Sequence, residues 1–134
     1  MKKPKKNYWE ERSRMSNIPK LRFPEFSGEW EEKKLSDIAS FSKGKGYTKN
    51  DLENDGSPII LYGRMYTKYE TVISDIDTFV NLQKGSIISK GGEIIVPASG
   101  ETAEEISRAS VVKNKGIILG GDLNIITKKK DKYN

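Results

Sequence analysis

Two glycine pairs do most to limit what this chain can fold into. Gly91-Gly92 separates GSIISK from EIIVPA, and Gly120-Gly121 separates GIIL from DLNIIT. The flanking runs are short and rich in isoleucine, leucine and valine, residues suited to a pleated, half-buried surface. Such runs around a glycine pair are the pattern of a two-residue β-hairpin, whose central residues favour positive φ. Both pairs are therefore expected to be hairpin turns. Between them, SGETAEEISRAS carries Thr102 and, three residues on, Glu105. That capping box predicts a short helix from Thr102, with Ala103 and Ile106 as its apolar positions. Upstream, SPIILY (57–62) reads as a strand after the turn signal Asn54-Asp55-Gly56, and TVISDIDTFVNL (71–82) suits a strand or a short helix. This order predicts an α+β fold, a mostly antiparallel sheet with short helices.

The N-terminal third is less regular. Residues 1–17 are polar and basic without period, and are expected to be a flexible basic arm, with the domain at 18–134. IPKLRFPEFSGEW (18–30) is interrupted by Pro19, Pro24 and Gly28; Ile18, Leu21, Phe23, Phe26 and Trp30 are expected to anchor it on the core. An amphipathic helix is expected over roughly Lys33–Phe41, with Leu35, Ile38 and Phe41 pointing inward. The run Lys128–Lys132 reads as a solvated end.

Composition removes several function classes. The chain has 134 residues, enough for one domain, with 34% hydrophobic and 32% charged residues. No apolar run approaches the roughly 18 residues of a membrane span, and the basic N-terminus lacks the apolar stretch of a secretory signal. There is no cysteine, which excludes disulfides and thiol catalysis and suits a cytoplasmic protein. There is no histidine, which removes the commonest general base and metal ligand. Net charge is +5, but residues 1–20 hold seven Lys/Arg against two Glu; removing these from totals of 24 and 19 leaves 17 of each sign. Any nucleic-acid site on the body must therefore be a local cluster.

One such cluster is LYGRMYTKYE (61–70). Read as a strand, it puts Tyr62, Arg64, Tyr66 and Lys68 on one face; with helix period, Tyr62, Tyr66 and Tyr69 align instead. Gly63 and the preceding Pro58-Ile59-Ile60 favour the strand. Rings stack on bases and cations meet phosphates, so this face suits nucleic acid. SKGKGYTK (42–49) is not a P-loop. It reads as a mobile surface loop, or as a phosphate-contacting one through Lys43, Lys45 and Lys49. Ser99 lies on a tight loop before a helix N-terminus, an arrangement that suits an anion, although capping alone explains Thr102 and Glu105. Glu93, Glu101, Glu104, Glu105 and Asp122 raise a metal nuclease, but no Asp followed by Glu-x-Lys lies downstream.

Several segments together resemble a known family. PKLRFPEFSGEWEEKKLSDIA (19–39) resembles the opening of the specificity subunit of type I restriction–modification enzymes. SKGKGYTKNDL (42–52), ILYGRMYTKYE (60–70), GGEIIVPASGETAEEISRAS (91–110) and GIILGGDLNIIT (116–127) resemble, in order, the N-terminal target recognition domain of such subunits. The resemblance implies a non-catalytic reader of double-stranded DNA without a cofactor of its own. Its partners would be a methyltransferase subunit that uses S-adenosylmethionine and a restriction subunit. It places Lys43, Lys45, Tyr47, Tyr62, Arg64, Tyr66, Lys68, Ser99, Thr102 and Arg108 in the DNA-binding half. The alternative is a protein-interaction module, or a remnant that only docks a methyltransferase subunit. Relative to the family, the spacer helices and second half are missing after Asn134, so the chain is expected to be a truncated fragment. Its final strand near Asp122–Thr127 is then expected to lie at an open sheet edge, with marginal stability.

Overall fold

The computed structural model describes residues 18–130, so the expected arm at 1–17 lies outside the described residues. The chain divides into two units, Met1–Lys34 and Leu35–Asn134.

In the first unit, residues 18–34 form no helix or strand. Local bonds shape them: Phe26 N–H donates to Phe23 O at 3.0 Å, and Lys33 pairs with Glu31 at 3.3 Å. The expected burial of this segment is not found. Leu21 is 93% exposed and Trp30 69%, and Ile18, Phe23 and Phe26 are exposed too. Two prolines and a positive-φ Gly28 keep the segment out of any ladder.

The second unit is α+β and mostly sheet. It begins with a four-residue helix α1 (Leu35–Ile38), followed by β1 (Ala39–Lys43), β2 (Leu52–Glu53) and β3 (Ser57–Ile60). Then come α2 (Arg64–Thr67), β4 (Val72–Ile73), β5 (Phe79–Val80), β6 (Ile88–Lys90), β7 (Glu93–Pro97) and α3 (Ala103–Ile106). The unit closes with β8 (Ser110–Val112), β9 (Lys115–Leu119) and β10 (Leu123–Lys128). One sheet has the order β1-β10-β7-β8-β4 and the other β2-β5-β3-β9-β6. Only β4–β8 and β3–β9 run parallel among these pairs. The capping box at Thr102 forms as expected, with Glu105 N–H on the threonine hydroxyl and the Glu105 carboxylate on the Thr102 N–H.

Neither glycine pair is a hairpin. β6 pairs with β9, and β7 with β10 and β8, so Gly91-Gly92 carries the chain from one sheet to the other. Gly120-Gly121 does the same between β9 and β10. The reason lies in the burial patterns of the strands. In β9, Ile117, Ile118 and Leu119 are all buried, and in β3 both Ile59 and Ile60 are. Neighbours on a strand face opposite ways, so this sheet is covered on both sides, as parallel pairs usually are. β10 instead alternates, burying Leu123 and Ile125. Two such runs do not satisfy one shared pair of faces.

The main core joins Ile95, Val112, Leu123, Ile125 and Ile73 of the first sheet to Ile60, Ile117 and Leu119 of the second. Ile59, Val80 and Ile118 pack on the second sheet's far side, under Tyr47, Leu52 and Leu61.

Three further expectations are corrected. The helix at Lys33–Phe41 is cut to Leu35–Ile38, because residues 39–43 pair with β10 over five positions; Leu35, Ile38 and Phe41 are exposed. β10 is not an edge: it lies between β1 and β7. The lysine run is ordered at its start, since Lys129 N–H donates to Ile38 O at 2.8 Å and its ammonium to Ser36 O at 2.6 Å.

Candidate nucleic-acid interface

The segment 61–70 turns rather than extends. After β3, Arg64, Met65 and Tyr66 N–H groups donate to Leu61, Tyr62 and Gly63 carbonyls at 3.0–3.1 Å, forming α2. Helical period turns Arg64 and Met65 inward and Tyr62 and Tyr66 to the same side, four apart. Met65 joins the main core. The Arg64 side chain is only 8% exposed and reaches Glu70 at 2.8 Å and Asp77 at 3.1 Å, with a further bond to Asp75 O at 3.0 Å. The shared strand face of Tyr62, Arg64, Tyr66 and Lys68 therefore does not exist. A guanidinium needs acceptors once buried, and residues 70–77 supply them to its two terminal nitrogens, while Nε is left without a partner among the described residues.

Tyr62 and Tyr66 meet edge to face, centroids 6.2 Å apart and planes at 80°. The Tyr66 hydroxyl donates to Ser99 O. Arg108 donates to the carbonyls of Met65 at 3.1 Å and Tyr66 at 3.2 Å, and its guanidinium lies 5.9 Å from the Tyr66 ring centre and 5.8 Å from that of Tyr69. It thus clamps the end of α2. Partial burial raises the Tyr66 pKa above its ordinary value, with the Glu105 carboxylate, Tyr62 and Asp122 adding to the rise and Arg108 opposing it.

Tyr62 and Tyr66 line one groove of about 680 Å³ together with Tyr47, Lys49 and Asp122. It opens where the parallel strands β3 and β9 end, the usual place for a crevice in a parallel sheet. The Gly44–Gly46 loop braces one wall. Gly44 N–H donates to Leu123 O at 2.9 Å, Lys45 N–H to Leu119 O at 3.1 Å, and Gly121 N–H to Gly46 O at 2.8 Å. This bonding does not match a mobile loop. A Cβ on Gly44 would lie 1.9 Å from Gly120 O, so this glycine serves close approach of backbones. Tyr47 follows with φ 63°, its hydroxyl bonded to Ser86 and to Gln83 N–H.

The ten sequence candidates thus separate. Tyr47, Tyr62 and Tyr66 line the groove together. Arg64 and Arg108 are engaged within the fold. Thr102 caps α3, and the Glu105 carboxylate already occupies the Glu101 and Thr102 N–H groups where an anion was expected. Lys43 and Lys45 are exposed, and Ser99 is exposed beside Tyr66. Lys68 is exposed but bonds Asp77 at 3.3 Å; that hydrogen bond, then the ammonium's charge, lowers the Asp77 pKa. Gly121 of the groove was not singled out for binding, and Asp122 was weighed only as a metal ligand. The clue was Asp122 after two glycines, since Asp tolerates the φ of 58° found there. Among the described residues no group of three or more Asp or Glu is placed to hold a metal ion, and no helix is long and apolar enough to cross a membrane.

No protein-family model matches the chain, and no curated protein matches it in sequence. Solved structures share its fold. Among them is a chain from a structure described as the basis of complex assembly and conformational transition of the type I R-M system. The superposition has a TM-score of 0.55 at 9% identity and covers 86% of this chain. The present chain spans 27% of that chain's length. At this identity the likeness is one of fold.

Proposed function

We infer that the chain is a target recognition domain of a type I restriction–modification specificity subunit. In this reading it binds double-stranded DNA, performs no chemistry, and directs methyltransferase and restriction subunits to their site. The observation that carries the reading is the fold shared with a type I R-M chain over 86% of this sequence. The groove lined by Tyr47, Tyr62 and Tyr66, with Lys49 in its wall and Lys68 in a neighbouring cleft that shares Lys49, supports it chemically. Arg64 and Arg108 serve this function by holding α2, not by meeting phosphate.

A second reading, a module that docks a methyltransferase subunit without touching DNA, is favoured by one observation. Phe41, Ile126, Ile94, Val111 and Val72 stand opposite one another in register across all five strands of the first sheet. Phe41, Ile94 and Val72 of this row are exposed.

Binding to a pool of random duplexes, followed by sequencing of the bound fraction, separates the two. DNA reading predicts one enriched sequence and a log affinity that falls steeply with log salt concentration. A pool without enrichment and a flat salt dependence would overturn it in favour of docking.

A further inference from the structure

The groove's chemistry does not suit a phosphate. Its charged lining residues are Lys49 and Asp122, one of each sign, and the rest are aromatic, aliphatic, glycine or threonine. An anionic backbone gains nothing from a neutral cleft. Nor does the groove suit the edge of an intact duplex. Tyrosine rings gain most from the face of another planar ring, and in a stacked duplex the base faces are covered. A cleft of about 680 Å³ falls within the range of small-molecule sites.

Its features fit a single base. Tyr62 is 41% exposed and meets Tyr66 edge to face rather than stacked on it. Tyr47 and Tyr66 are held by their hydroxyls, so those rings are fixed before a ligand arrives. Asp122 is exposed and lines the groove. A carboxylate there can accept from an exocyclic amino group, as on cytosine or adenine.

We propose that this groove takes one unstacked nucleobase, stacked on Tyr62 and bonded through its amino group to Asp122, with Lys49 at the mouth. The proposal deepens the DNA-binding reading and rests on it. It assigns the lysines outside the groove to the backbone and the rings to a base displaced from the helix.

The test compares the full chain's affinity, by fluorescence anisotropy at one low salt concentration, for a matched duplex and for the same duplex with one bulged adenine or cytosine. A bulged base is already unstacked and costs less to extrude, so the bulged duplex is expected to bind about tenfold tighter. Tyr62→Ala should abolish that preference and Tyr62→Phe, which keeps the ring, should retain it. Equal affinity for bulged and matched duplexes, unchanged in Tyr62→Ala, overturns the base site while leaving the chain a DNA binder. Saturation transfer from protein to adenosine or cytidine gives a second readout. Transfer to a nucleoside without duplex binding keeps the base site and ends the duplex reading. Neither transfer nor binding to any oligonucleotide ends both.

Discussion

Arg64 carries the largest difference between appearance and role. It stands among tyrosines in a motif that reads as a DNA face, yet its two terminal nitrogens are committed to Glu70, Asp77 and Asp75 O. Arg64→Met keeps much of the stem and removes the guanidinium. Its carboxylate partners retain access to water, so the loss is that of charge-assisted hydrogen bonds, about 2 kcal/mol. Urea unfolding should show a lower midpoint at unchanged slope. Tyr66 supplies a pH signature. Its folded pKa is raised, so the folded state favours the neutral phenol. Its contribution is fully present below the ordinary value of 10.0 and is lost as pH rises from there through the higher folded value. Tyr66→Phe should remove this alkaline loss, seen as a smaller drop in stability between measurements on the two sides of pH 10.0.

At the scale of elements, the glycines decide where the chain changes sheets. Gly91 and Gly92 both have positive φ, 95° and 89°, which explains the residue type without requiring a hairpin. The Glu93 carboxylate accepts from the Gly91 N–H at 3.0 Å and fixes the turn. Gly44 meets Gly120 at the second crossing, and the atoms that a Cβ would strike are backbone oxygens, at 1.9 Å and 2.8 Å. Backbone in a ladder yields less than a side chain does. Gly44→Ala is therefore expected to cost about 3 kcal/mol and to part the loop from β9. Hydrogen exchange at the Lys45 and Gly121 amides, both bonded across this crossing, should accelerate in that variant.

For the whole molecule, the row Phe41–Ile126–Ile94–Val111–Val72 sets solution behaviour. An apolar row spanning five strands is an adhesive surface when left in water. The chain is expected to scatter light increasingly with concentration. Ile94→Thr, which keeps a β-branched side chain, should reduce that scattering while changing stability by no more than about 0.5 kcal/mol. An undiminished concentration dependence would mean that self-association uses another face.

The sequence by itself determined the α+β class, the strand at 57–60, the capping box at Thr102 and the presence of the three tyrosines that line one groove. These follow from local patterns, which neighbouring residues settle among themselves. Only the tertiary structure decided which strands are partners. Glycine pairs between apolar runs have the same local signature whether the chain folds back in one sheet or passes to the next. The choice rests on whether β9 and β3 find cover on both faces. The turn at 61–70 was decided the same way: strand and helix periods both fitted the sequence, and Asp77 and the Asp75 carbonyl, outside that segment, joined Glu70 at its end in giving a buried Arg64 its partners and so favoured the helix.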